Sequence, residues 1–348
     1  MKKIILVSVI MVSVITSLWA KKYKGAEIRT NESFLYGRFE VKMKSTEASG
    51  MLSSFFTFYD DPSFATNWNE IDIEILGRYQ NEVQFNAIVG NHQMSEKRQL
   101  LNFNPHKDFH TYSFDWTPDY ISWNVDGQEV YRLTGENVVK MNKAQKIMMN
   151  IWPSEFWEWT GPWDPTKVPL YAMYDYVKYY EYKPKAENKF SLSWEDNFDK
   201  IDNSRWSFAS HTFDGNNCDF DASNAKVKDG YLILALTGSD YEVSEDKLTD
   251  LKIEGLSVGK VSISSAAMLD INTIKITFST PVNRINAKKE NFKIGGVEIT
   301  KAKFAMDMTT VELITTALDA SKDYELVFIA PGQKGEVYSQ NIKITKKY

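Results

Sequence analysis

The chain has 348 residues, 43% of them hydrophobic and 14% aromatic, which is room for roughly two domains with a sizeable core. A formal net charge of −5 without basic clusters argues against nucleic acid as a partner. The 10 Trp and 18 Tyr are many for a simple core, since each ring carries a polar atom that needs a partner. Sugar-binding surfaces and ordinary β-sandwiches both use such rings.

The N-terminus, "MKKIILVSVIMVSVITSLWA", sets two lysines before an apolar run from Ile4 to Trp19, with small Ala20 after it. That order predicts a secretory signal peptide over residues 1–20, cleaved after Ala20. The run falls short of the ~20 apolar residues a membrane span needs. A secreted, extracellular or periplasmic protein with no membrane in its mature form follows. No Cys follows the run to take a lipid, and the single cysteine, Cys218, has no partner for a disulfide within the chain and reads as a small buried residue.

From Lys21 onward the signals are strands. "YGRFEVKMK" alternates, "SSFFTFY" follows, and "YISWNVDGQEVYRL" carries the two-residue hairpin turn Asp126-Gly127. Residues 183–189, "KPKAENK", lack large apolar side chains and read as a join. "FSLSWEDNFDKIDNSRW" and "KVKDGYLILALT" then resume β character to near residue 240. A polar stretch over 241–256 reads as a linker. Short alternating strands over 257–348, with Gly-Gly and Asn turns, predict a small immunoglobulin-like β-sandwich. It contains no Trp and no acid row, so a spacer or binding module suits it better than chemistry.

The stretch "WNEIDIEILG" concentrates the chemistry. As a strand it sets Trp68, Glu70, Asp72 and Glu74 on one face and Ile71, Ile73 and Ile75 on the other. Acids side by side without a base repel one another, and a solvated face would mix in Lys, Thr or Ser. Hydrolysis of a glycosidic bond needs one ionised and one protonated carboxyl group. Glu70 and Glu74 lie ~13 Å apart at Cα in a flat strand, while a retaining enzyme holds its carboxyls ~5–5.5 Å apart, so the side chains must lean together on a concave sheet. Asp72 between them could share a proton and help hold Glu74 protonated. The same alternation recurs: Phe56 with Phe58, Gln84 with Asn86, and Asn150 with Trp152 share faces. Amides for hydroxyls and rings for stacking suit a cleft for an uncharged polymer. Metal-binding acids come on loops more than on a strand interleaved with isoleucines, and His106 and His110 read as strand-entry residues rather than zinc ligands.

"NEIDIEILG" resembles the signature of glycoside hydrolase family 16, curved jelly-roll β-sandwiches that cut β-glucans with retention. "YGRFEVKMK", "SSFFTFY", "VQFN", "FHTYSFDWTPDYISWNVDG", "IMMNIW" and "PLYAMYDYVKYYEY" extend the likeness to its lichenase branch, the endo-acting 1,3-1,4-β-glucanases. The resemblance implies Glu70 as nucleophile, Glu74 as general acid/base and Asp72 as the assisting carboxylate. It places Trp68, Phe56, Gln84, Asn86, Asn150, Trp152 and Trp159 in the glucan cleft, with Glu96 and Glu27 at further cleft positions. Laminarin-cleaving relatives carry an extra residue before the last Glu, a bulge; this chain has none. Segments that usually open the family's chain here follow "YDYVKYYEY", which resembles a circular permutation joined through 183–189. His211 stands where permuted relatives place a stacking Trp. The family's structural calcium would fall at Asp175, Asn197 and Gly230. The resemblance thus implies an all-β catalytic domain over 21–240 that works as a monomer on β-glucan, without a catalytic cofactor. A xyloglucan- or laminarin-active sibling and a silent carbohydrate-binding sandwich are the competing expectations.

Overall fold

A computed structural model of the protein describes residues 20–249, 262–279, 288–304, 309–319, 321–331 and 337–346. The expected signal segment therefore lies outside the described residues up to residue 19, as do positions 250–256 of the expected linker.

Alternation in sequence becomes two-sidedness in space. In the strand Gly37–Lys44, Phe39, Val41 and Met43 are fully buried, while Lys42 reaches an ion pair on the opposite face. In Trp68–Leu76, the isoleucines 71, 73 and 75 are fully buried and the acids face away from them. Two antiparallel sheets result. One runs through Glu82–Gly90, Trp68–Leu76, Met51–Phe58, Lys146–Pro153, Tyr23–Thr30 and Trp206–Phe208. The other runs from Gln128–Thr134 through Tyr120–Val125, His110–Trp116 and Gly37–Lys44 to Leu170–Tyr182. Leu170–Tyr182 pairs further with Phe190–Asp196 and Tyr231–Gly238. Asp126 and Gly127 both take positive φ, 48° and 78°, as the predicted two-residue hairpin turn requires.

Phe55, Phe85, Phe114 and Trp123 fill the space between the sheets. Buried rings also find partners for their polar atoms: Trp123 Nε1 donates to the Asp72 carbonyl at 3.0 Å, and the Tyr174 hydroxyl to the Ser54 carbonyl at 3.0 Å. Both bonds tie the core to the backbone beneath the acid face.

The chain beyond residue 189 completes this sandwich. Tyr231–Gly238 pairs with Leu170–Tyr182 and with Tyr23–Thr30, and Leu232, Leu234 and Leu236 are fully buried in the core. Residues 183–189 close a short loop in which Lys183 N donates to Lys189 O at 2.7 Å. The stretch expected to be a linker differs in its first part: Val243 and Leu248 are buried against Met173, Tyr231, Ile233 and Ala235, because these two apolar residues, one before and one within the short helix Glu245–Thr249, cover an apolar patch that would otherwise face water. A second β-sheet domain, with Ile274, Ile276, Val311, Leu313 and Phe328 in its own core, occupies the described residues from 262 onward.

Candidate active site

The acid strand is regular. Glu70, Asp72 and Glu74 pair with Phe58, Phe56 and Ser54 on one side, and Asp72 and Glu74 with Asn86 and Gln84 on the other, with no shift in register. Further pairing carries the Glu74 row on through Asn150 to Glu27. Directly opposed residues of an antiparallel pair share a face, so Gln84, Glu74, Ser54, Asn150 and Glu27 form one polar line across five strands. Asp72 is buried, whereas Glu70 and Glu74 keep part of their surface open.

Each carboxylate is held differently. Trp68 Nε1 donates to Glu70 Oε2 at 2.6 Å. Gln84 Nε2 donates to Glu74 Oε2 at 3.2 Å. Burial pushes Glu70 up to about 7, and bonds from Trp68 and Asp72 hold it back. Burial, then the charges of Glu70 and Glu96, push Glu74 up to about 8. Asp72 rises well above the usual carboxylate range, through burial first and then the charges of Glu70 and Glu74. A hydrogen bond between Asp72 and Glu70 works in opposite senses on the two, raising Asp72 and lowering Glu70. The three titrate as one coupled group. With Glu70 as the expected nucleophile and Glu74 as the expected acid, kcat/KM should climb toward pH 7 and fall above about pH 8. A pH–rate profile on soluble β-glucan measures this, and a maximum below pH 5 would overturn the assignment.

The other expected cleft residues come together, though several are engaged by protein. Asn150 Nδ2 donates to Glu27 Oε2 at 3.1 Å and its Oδ1 accepts from the Ser54 hydroxyl. Asn86 Oδ1 accepts from Ser95 N at 3.1 Å, so it anchors a turn as well as lining the face. Phe56 is buried opposite Asp72. Trp152 packs against Trp159, with ring centroids 6.0 Å apart, and against Phe213 at 5.0 Å. Glu96 is exposed and acts on Glu74 through its charge. Sequence reasoning missed Phe213 and the ion network in which Arg29 binds Glu27 and Asp60 while Lys146 reaches Asp60 at 2.9 Å. Arg29 was within reach of the alternation rule, two residues from Glu27; Phe213, on a loop, had no periodic signal. His211, in the place expected of a stacking Trp, is exposed with Nδ1 3.4 Å from Arg29 Nη2.

On the opposite sheet, Asp175 is buried and Lys42 Nζ lies 3.0 Å from its Oδ2. The only acidic side chain of the expected calcium trio thus already has a cation. Asn197 is half-buried after the strand that pairs with Leu170–Tyr182, and Gly230 (φ 79°) sits in the turn before Tyr231. A divalent ion held by these residues would share the Asp175 carboxylate with the Lys42 ammonium. No group of three or more His, Cys, Asp or Glu is placed to hold a metal among the described residues. Cys218 is buried, and a Cβ on Gly25 would come within 2.6 Å of its Sγ.

Residues 8–176 match the sequence profile described as Glycosyl hydrolases family 16. A "Beta-glucanase" of Fibrobacter succinogenes is 40% identical over 235 residues, 65% of this chain and 67% of that protein. A "Beta-glucanase" of Paenibacillus macerans is 43% identical over 166 residues, 47% of this chain and 68% of that protein. One of Acetivibrio thermocellus is 47% identical over 159 residues, 45% of this chain and 46% of that protein. The chain thus spans about two thirds of the first two relatives and under half of the third. With a row of three carboxyl groups on one sheet face, and this degree of likeness behind it, the chain belongs to glycosyl hydrolase family 16 and is a glycoside hydrolase.

Proposed function

We propose that the protein is a secreted endo-β-glucanase that hydrolyses mixed-linkage 1,3-1,4-β-glucan by double displacement, with retention. The observation that carries this is the unbroken register of Trp68–Leu76, which lines up Glu70, Asp72 and Glu74 on one face beside Gln84, Asn86 and Ser54. Glu70 attacks the anomeric carbon while Glu74 gives its proton to the leaving glycosidic oxygen. Water, deprotonated by Glu74, then displaces Glu70 from the glycosyl-enzyme. Burial and the neighbouring acids favour the protonated form of Asp72, which suits it to donate a hydrogen bond to Glu70, as Trp68 Nε1 does. The aromatic and amide rows supply stacking and hydroxyl contacts to an uncharged chain.

Secretion is supported by the order of charge and apolarity over residues 1–20. A domain running from 21 to 240 in permuted order is supported by the pairing of strands after residue 189 with strands before 183. Calcium held by Asp175, Asn197 and Gly230 would share the Asp175 carboxylate with Lys42, and no step of the reaction passes through it.

Reducing ends released from barley β-glucan, lichenan, laminarin and xyloglucan test the substrate. Release from the two mixed-linkage glucans well above the others is expected. Faster cleavage of laminarin or xyloglucan would replace the substrate, and no release from folded protein would make the molecule a binder.

A further inference from the structure

Gln84 is expected from its position to be a substrate ligand, yet both ends of its amide are already committed. It is buried and stands directly across from Glu74 in the strand register. Its Oε1 accepts from Trp159 Nε1 at 3.0 Å, and its Nε2 donates to Glu74 Oε2 at 3.2 Å. Indole nitrogen is a donor only, so it can satisfy the carbonyl end of the amide and never the NH₂ end. Trp159 thereby decides which end of Gln84 faces Glu74.

We infer that Trp159 is a positioning residue for the acid/base: by pinning the Gln84 amide it keeps an N–H on one oxygen of Glu74 and leaves the other oxygen to carry the proton toward the bond being broken. The inference rests on Glu74 being the acid/base, as proposed above. With the amide turned over, its carbonyl would face Glu74 and accept the proton in a hydrogen bond. That would direct the proton away from the glycosidic oxygen and favour the protonated form in the second step, when Glu74 must take a proton from water.

Trp159 is itself firmly placed, as a part that orients another must be. It lies in the short turn of helix Trp157–Thr160, whose carbonyls at Glu158 and Trp159 accept from Arg78 Nη1 at 2.9 and 3.0 Å. The next residue, Thr160, is buried, and its carbonyl accepts from Gly50 N at 2.8 Å. Packing on Trp152 holds the ring from the side. The order of events is chemically simple: no group in the relay gains or loses a proton except Glu74.

The test compares Trp159→Phe, Gln84→Leu and the double variant in full-length protein, with kcat and KM on soluble β-glucan from pH 5 to pH 10. Loss of one hydrogen bond to the ionised form should raise the alkaline limb by roughly one pH unit in each single variant. A fall in kcat of about tenfold with KM nearly unchanged should accompany it. The double variant should match Gln84→Leu alone, because Trp159 has nothing left to act through. An alkaline limb in Trp159→Phe that stays at the wild-type position, or a shift that still adds in the Gln84→Leu background, overturns the relay. A rise in KM without change in the limb would also overturn it, reducing Trp159 to a stacking wall. If circular dichroism shows Trp159→Phe misfolded, benzothienylalanine at 159, which swaps the indole N–H for sulfur, carries the same comparison. Failure of the underlying assignment would look different: Glu74→Ala would then hydrolyse β-glucan like the wild type, whatever Trp159 does.

Discussion

Glu70→Gln should lower kcat on β-glucan on the order of 10⁴-fold or more, the scale of losing a covalent nucleophile, while the protein melts no lower than the wild type. The amide oxygen of Gln can still accept from Trp68 Nε1, so the local bond at 2.6 Å has a successor. What disappears is the carboxylate that, in the proposed mechanism, bonds to the anomeric carbon. The stability half follows from the sign of the shift. Glu70 ordinarily loses its proton near 4.5 and in the fold only near 7. Between those values the unfolded chain holds fewer protons than the folded one, so this group's contribution is intact below 4.5 and is lost as pH rises through 7. A neutral amide removes that loss and one member of a crowded acid row. Reducing-end assays beside thermal melts at pH 8 measure both. Wild-type turnover in the variant would remove Glu70 from the mechanism, and a lowered melting temperature would contradict the burial account of its shift.

A fragment comprising residues 21–182 should fail to fold. It would lose Trp206, Phe198, Phe220, Leu232, Leu234 and Leu236, all at most 3% exposed. At about 1.5–3 kcal/mol for each large side chain buried, the loss is on the order of 10 kcal/mol or more, comparable with the 5–15 kcal/mol that holds a typical domain together. The cut also removes the partner of Leu170–Tyr182 at five register positions and both Trp206–Phe208 and Tyr231–Gly238 from beside Tyr23–Thr30. Freed edges of this kind pair with other chains, so aggregation is the expected outcome, read by sedimentation and near-ultraviolet circular dichroism. A soluble 21–182 fragment that cleaves β-glucan would refute the permuted single domain.

Alternation alone put the three acids on one side of Trp68–Leu76 and the isoleucines on the other, because a period of two is built into any strand. Asp126-Gly127 likewise announced its hairpin through residues that tolerate positive φ. The apolar runs after residue 189 showed that more β structure followed, and the acid row by itself pointed to glycosidic chemistry. Those features depend on neighbours in the chain, which is why they were legible.

Which polar side chains remain for a ligand was decided in three dimensions. Asn150 meets Glu27 across 123 positions of sequence, and Gln84 meets Trp159 across 75; no local pattern encodes either pairing. Asp175, expected from the family resemblance to be an ion ligand, pairs with Lys42 from a neighbouring strand. Val243 and Leu248 read as linker until the patch they cover exists. The rise of Glu70 and Glu74 above ordinary carboxylates depends first on burial, then on charges the fold brings near, Glu27 for Glu70, and Glu70 and Glu96 for Glu74. Electrostatic energies follow distance through space and exposure to water, quantities that chain order does not carry.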